Sequence, residues 1–224
     1  MVDWREHEVR EVERYRDGES RLPEQPDERQ RALTRLGNAA GGAGLSLLMQ
    51  GRRADAAEWL GRAAVRYRES WDGAPPGSWG RPIGMIKARL LAGDLAGAEA
   101  DARWSLEQGP AEAESPIGRY CAVLALLVLG RDEEALPLAE SIGGRDDFPE
   151  PVAEALAALA AGEVLAYYEA VEDVLLSFES REGYLEDIPA ADTVLVLQAL
   201  AAARDLAAEL PASPLLPRWR LDVK

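Results

Sequence analysis

The chain has one cysteine, one histidine and two phenylalanines among its 224 residues, and each scarcity removes a class of function. A single cysteine forms no internal disulfide and no multi-cysteine metal site. Cys121 lies in an apolar run, where a buried, inert thiol is expected rather than a nucleophile. His7 sits in a charged first segment, so neither a Ser-His-Asp nor a Cys-His nucleophile system is expected. A zinc site built from nitrogen and sulfur ligands is ruled out on the same ground. His-Glu-x-x-His, Cys-x-x-Cys and glycine-rich phosphate motifs are all missing, and no cofactor is expected. Long apolar runs are missing too: the longest, Tyr120 to Leu129, is ten residues, too short to span a bilayer. The opening "MVDWREHEVREVERYRD" has no apolar core of a secretory signal, so a cytoplasmic protein is expected.

Lysine is also rare, two against 23 arginines, and the net charge is −15. The imbalance is local. Residues 1–72 hold 14 acids and 13 bases, while residues 73–224 hold 26 acids and 12 bases. Such a surface repels phosphate backbones, so nucleic acid is not an expected partner, whereas a basic protein would be attracted. The acidity also has a plainer reading, as a solubility or salt-adaptation device.

What is abundant is alanine, leucine and arginine, with few β-branched runs, and that composition predicts an all-α chain. A first helix is expected from Asp3 to Tyr15, with Asp3 as N-cap and Glu6 completing a capping box. "GESRLPEQPDE" should then break it through Gly18, Pro23 and Pro26. A second helical pattern, Glu28 to Gln50, contains "GNAAGGAG", Gly37 to Gly44. That run reads as close helix packing or as an interruption. A phosphate loop would need a preceding strand or a following Lys-Ser/Thr, and has neither.

One unit then recurs. An apolar helix ends on glycine, four residues follow, and alanine opens a second helix: Gly51 then Ala56, Gly93 then Ala98, Gly130 then Ala135. The fourth copy, after Gly162, has Tyr167 in the alanine's place. The glycines are 42, 37 and 32 residues apart. This is the grammar of stacked αα-hairpins. Over residues 30–180 it resembles the tetratricopeptide class, with an irregular period and unmatched aromatic positions. "SWGRPIGMIKARLLAGD" and "SPIGRYCAVLALLVLGRD" share Pro-Ile-Gly. Proline favours a first helical turn, and Ser115 is placed as an N-cap, so Pro-Ile-Gly marks a helix start in both.

Val164 to Phe178 carries one apolar stripe, Val164, Tyr167, Tyr168, Val171, Val174, Leu175 and Phe178. Thr193 to Leu210 is apolar nearly all round and is expected to be a buried helix. The organisation predicted is a single domain of about nine or ten helices in stacked antiparallel hairpins. Residues 1–26 form an N-terminal helix and linker, 27–210 the hairpins, and 211–224 an extended tail in which Leu215, Leu216 and Trp219 pack down or fray.

Two sets of residues are candidates for function. Trp71, Trp79, Arg81, Arg119 and Tyr120 fall near the two Pro-Ile-Gly starts, and Trp, Tyr and Arg dominate binding hot spots. Trp59 and Trp104 are expected in the core. Residues 163–192 carry nine acids against Arg181 alone. Of these, Glu169, Glu172 and Asp173 lie off the apolar stripe, as a solvated or partner-binding face. The expected function is a non-catalytic helical-repeat protein that binds another protein. The helix order, "RDDFPEP" (Arg145 to Pro151) and "ELPASPLLP" over residues 115–217 also resemble all-α immunity proteins of bacterial polymorphic-toxin systems. That resemblance implies an inhibitor of a basic toxin and assigns no residue. The alternatives are a carboxylate-based, Mg²⁺-dependent enzyme, which needs those acids to converge, and a self-associating scaffold.

Overall fold

A computed structural model describes residues 2–218, and these form ten α-helices and no strand. They are α1 (Trp4–Ser20), α2 (Pro26–Met49), α3 (Arg53–Trp71), α4 (Gly80–Ala92), α5 (Leu95–Glu107), α6 (Pro116–Val128), α7 (Asp132–Glu140), α8 (Glu150–Ala161), α9 (Val164–Glu179) and α10 (Asp192–Ala202). Helices α2 to α9 pair into four hairpins in series. α1 lies against α2, and α10 lies against α4, α8 and α9. No helix among the described residues is long and apolar enough to cross a membrane.

All four hairpins close in the same way. Gly51, Gly93, Gly130 and Gly162 have φ of 77, 72, 66 and 72°, left-handed backbone that glycine adopts without a Cβ penalty. In each, the next residue's N–H reaches back five positions, to Leu47, Arg89, Leu126 or Ala158 O, at 2.9 to 3.0 Å. These are Schellman closures, which satisfy carbonyls a helix end would otherwise leave bare. The residue five past each glycine is fully buried in every copy: Ala56, Ala98, Ala135 and Tyr167. A methyl side chain there lets the paired helices approach closely. Tyr167 instead reaches across to α10, its hydroxyl donating to Gln198 Oε1 at 2.8 Å.

The small-residue run of α2 is packing, and the helix passes through it unbroken. A Cβ on Gly44 would meet Leu60 of α3 at 2.6 Å, and one on Gly42 would meet Glu11 of α1 at 3.0 Å. The Tyr67 ring occupies a slot between two glycines, because a Cβ on Gly37 or on Gly84 would strike it at 2.8 Å. Gly84 and Gly118 are the glycines of the two Pro-Ile-Gly stretches. Gly118 meets Ala113 and Trp79 just as tightly. Ser115 caps α6, accepting from Ile117 N at 3.2 Å, and Pro116 is its first residue. In α4 the helix begins two residues before Pro82. Pro-Ile-Gly is therefore a helix start whose glycine takes an aromatic or small neighbour from the unit before it.

Three expectations are corrected. The first helix continues past Tyr15 to Ser20, with Asp3 capping it through Arg5 N and Glu6 N, both at 3.0 Å. Gly18 lies inside that helix and is the point of contact with Leu36. The last helix ends at Ala202 rather than Leu210. Arg204 is drawn to Asp132 of α7 and to Leu127 O at 2.6 Å, Asp205 adopts φ 58°, and Leu206 N closes onto Ala201 O at 2.9 Å. Alanine propensity in the following residues is overridden by that tertiary anchor. In α9 the stripe is narrower than expected: Val164 and Tyr168 are exposed.

The tail folds back. Gln198 clasps it, donating to Ala208 O at 2.6 Å and accepting from Ala208 N at 3.0 Å. Ala191 N donates to Leu215 O at 2.9 Å. Leu215 is buried and Leu216 half-buried, while Trp219 lies outside the described residues.

Gly37→Ala should lower stability by about 1–3 kcal/mol, because the Tyr67 ring, held against Gly84 on its other side, must leave its slot to admit the methyl. Gly61→Ala, with nothing within 4 Å of the added methyl, should raise it by about 0.5–1 kcal/mol. Urea unfolding midpoints of the two variants should therefore move in opposite directions.

Candidate protein-binding face

Of the two single-copy reactive residues, Cys121 is enclosed and His7 is half-buried. Cys121 is fully buried in α6, and burial pushes its thiol up to about 12. The thiolate that a nucleophile requires is thus suppressed. His7 lies 5.8 Å from the Trp4 ring, and its Nδ1 is buried without a hydrogen-bond partner among the described residues.

The aromatic–arginine set lies at the joints between hairpins, where the sequence places it, but it faces inward. Trp71 packs on Trp79 at 5.4 Å and edge-on against Trp104 at 5.7 Å. Trp79, Arg81 and Tyr120 are 9%, 8% and 8% exposed, so little of them is offered to a partner. Arg81 donates to Ser70 O and Gln30 Oε1. Arg119 Nε donates to Ala113 O at 3.1 Å, and Tyr120 packs on Phe148 at 5.4 Å. Trp79 lies against Gly118, the residue before Arg119. Their contacts hold adjacent units in register. Trp59 and Trp104 are half-buried on the core's margin, under the guanidinium groups of Arg62 and Arg68 at 4.6 and 3.3 Å.

The acidic residues behave differently. Of the nine between 163 and 192, Glu186 and Asp192 turn inward to pair with Arg14 and Lys87. The other seven form no ion pair among the described residues. Glu169, Glu172 and Asp173 are exposed on α9. No three His, Cys, Asp or Glu side chains among the described residues gather as a metal-ligand set.

Between those acids lies an apolar component outside the core stripe. Leu165 is 77% exposed and Leu176 is 52% exposed. A 3.6-residue period places Leu165, Glu169, Glu172 and Leu176 on one line along α9. Val164 and Tyr168, at 42% and 37% exposed, flank it. The signal was present in the sequence as leucines off the core stripe, but single surface leucines are ordinary. Only the fold shows that these gather. The buried side of the same helix, Tyr167, Val171, Val174 and Phe178, fixes the orientation of that outer line. No family model, curated protein or solved structure matches the chain.

Burial raises Cys121 above its ordinary 9.0, and it raises Tyr67, Tyr120 and Tyr167 in the same direction. Each group is neutral in the fold and ionises more readily unfolded. Their contribution is complete below pH 9 and is lost as pH rises toward 12. Melting temperature should hold from pH 7 to about 9 and then fall. At neutral pH a thiol reagent should label Cys121 only after unfolding.

Proposed function

We propose that the protein is a non-catalytic helical-array module of the cytoplasm. It binds another protein through the outer face of α9, and the partner segment is basic and amphipathic. The observation that supports this reading is the line Leu165–Glu169–Glu172–Leu176, with Asp173 beside it. Two exposed leucines there bracket carboxylates that form no ion pair among the described residues. Leucines would supply buried area, and the acids would select lysine or arginine on either side of the partner's apolar residues. A nucleic acid fits poorly, since the face is negative. An immunity-type inhibitor of a basic toxin is the specific form of this reading, because masking a cationic surface requires such a face.

The reading is tested with a short amphipathic leucine–lysine peptide, measured by fluorescence anisotropy at low and high salt. Binding should weaken steeply as salt rises. The triple change Glu169→Lys, Glu172→Lys, Asp173→Lys should weaken it by about ten-fold or more, with helicity unchanged. Leu165→Ser with Leu176→Ser should also weaken it, independently of salt. Affinity indifferent to both sets of changes would refute the assignment of this face.

A further inference from the structure

A cleft of about 540 Å³ lies between α2 and α4, with Tyr67 of α3 at its floor and residues 178–192 as its roof. Its polarity is graded from end to end. Because Tyr67 sits against both Gly37 and Gly84, those positions are level on the two helices. Thr34 is then level with Arg81, and Leu45 with Leu91. From Arg81 to Leu91 the cleft runs about 15 Å at the helical rise. One end presents Thr34, Ser78 and Arg81, while the other presents Leu45, Leu60 and Leu91. Phe178 and Ile188 of the roof continue the apolar wall.

The charges of this cleft do not cancel, and Arg181, which also lines it, is exposed and lies over the Phe178 ring at 3.7 Å. Lys87 is matched by Asp192 at 2.5 Å and also donates to Thr193 Oγ1 at 3.2 Å. Burial would lower its pKa, but Asp192 and Tyr120 overcome that, so the ammonium stays charged. Glu186 is matched by Arg14 at 2.5 Å, accepts from Asn38 Nδ2 at 2.9 Å, and gives its carbonyl to Arg10 at 2.6 Å. Arg81 has no carboxylate. Its hydrogen bonds go to Ser70 O and Gln30 Oε1, both neutral, and among the described residues it makes no ion pair. It is 8% exposed, and burial draws its pKa down. A guanidinium carries five N–H donors in a fork that suits a carboxylate. An enclosed cation without a counter-charge is costly, all the more notable in a chain of charge −15.

We propose that this cleft binds a small amphiphilic monoanion, a carboxylate on an aliphatic or aromatic body. The carboxylate lies at Arg81, and the body extends toward Leu45, Leu60 and Leu91. One unmatched buried cation calls for one negative charge, and the apolar half of the cleft calls for a tail. The site is separate from the outer face of α9 and stands whether or not that face binds protein.

Decanoate is the probe, with decan-1-ol and decyltrimethylammonium as neutral and cationic counterparts. Titration calorimetry and thermal shift should show saturable one-site binding of decanoate. Decan-1-ol should bind about ten-fold or more weakly, for want of the charged hydrogen bonds, and the cation not at all. Gly41→Leu fills the middle of the cleft from a position where an added Cβ has ordinary contacts, 3.9 Å from the Tyr67 hydroxyl. It suits a helix better than glycine. The folded variant should lose decanoate binding and keep any binding of the leucine–lysine peptide. Arg81→Met should lose the preference for decanoate over decan-1-ol. If it fails to fold, Gly41→Leu decides. Absence of saturable decanoate binding, equal affinity for the alcohol, or decanoate binding undiminished in folded Gly41→Leu would each overturn the proposal.

Discussion

Every hairpin of this protein depends on one backbone event, a glycine in the left-handed region with the next amide reaching back five residues. That closure fixes both the angle and the register at which the second helix returns. The residue five positions later then always falls on the line of closest approach. In three hairpins the line is occupied by a methyl group, and the helices meet backbone to backbone. In the fourth it is occupied by a phenol, and the room that Tyr167 requires is where α10 and the Gln198 clasp are accommodated. One substitution in a repeated grammar thus accounts for where the array stops repeating.

A second layer of organisation uses absent side chains. Gly37, Gly84 and Gly118 each receive a large or rigid neighbour from the adjoining helix. Aromatic rings become keys fitted between units instead of surface anchors. Tyr67 and Trp79 are of this kind, while Trp71 and Tyr120 pack ring to ring beside them, which is why residue types common in hot spots mark joints here. Charge is divided in a similar way. In the first three helices acids meet arginines within a turn or across neighbouring helices, as with Glu8 and Arg52 or Glu19 and Arg66. Such exposed pairs add little stability, but they cancel the local field. On α9 the acids Glu169, Glu172 and Asp173 form no such pair among the described residues.

The hairpins were legible because their signals are local. Glycine, the alanine five residues on, a serine cap and proline in a first turn all act within one turn of helix. Local reading fails where distant residues decide. Gly18 looks like a breaker until Leu36 is seen against it. The alanines after Ala202 look helical until Arg204 is seen held by Asp132. Arg81 looks like a surface arginine until Gln30, fifty-one positions away, is seen to accept from it. For the candidate face, the acids were legible as a cluster. Their alignment with Leu165 and Leu176 was not, because it required knowing which side of α9 is covered.

Glu186 lends the molecule a property that stacked hairpins lack. Arrays in which each unit touches only its neighbours are quasi-one-dimensional, and they melt from the ends inward. Here a residue 176 positions from Arg10 accepts its hydrogen bond and also pairs with Arg14, so the last part of the chain is tied to the first helix. The left-handed conformation of Glu186, at φ 55°, carries a local cost that these ties outweigh in the native state. The line of units becomes a closed circuit. The first helix and the segment before α10 share these contacts, so neither can separate without breaking them.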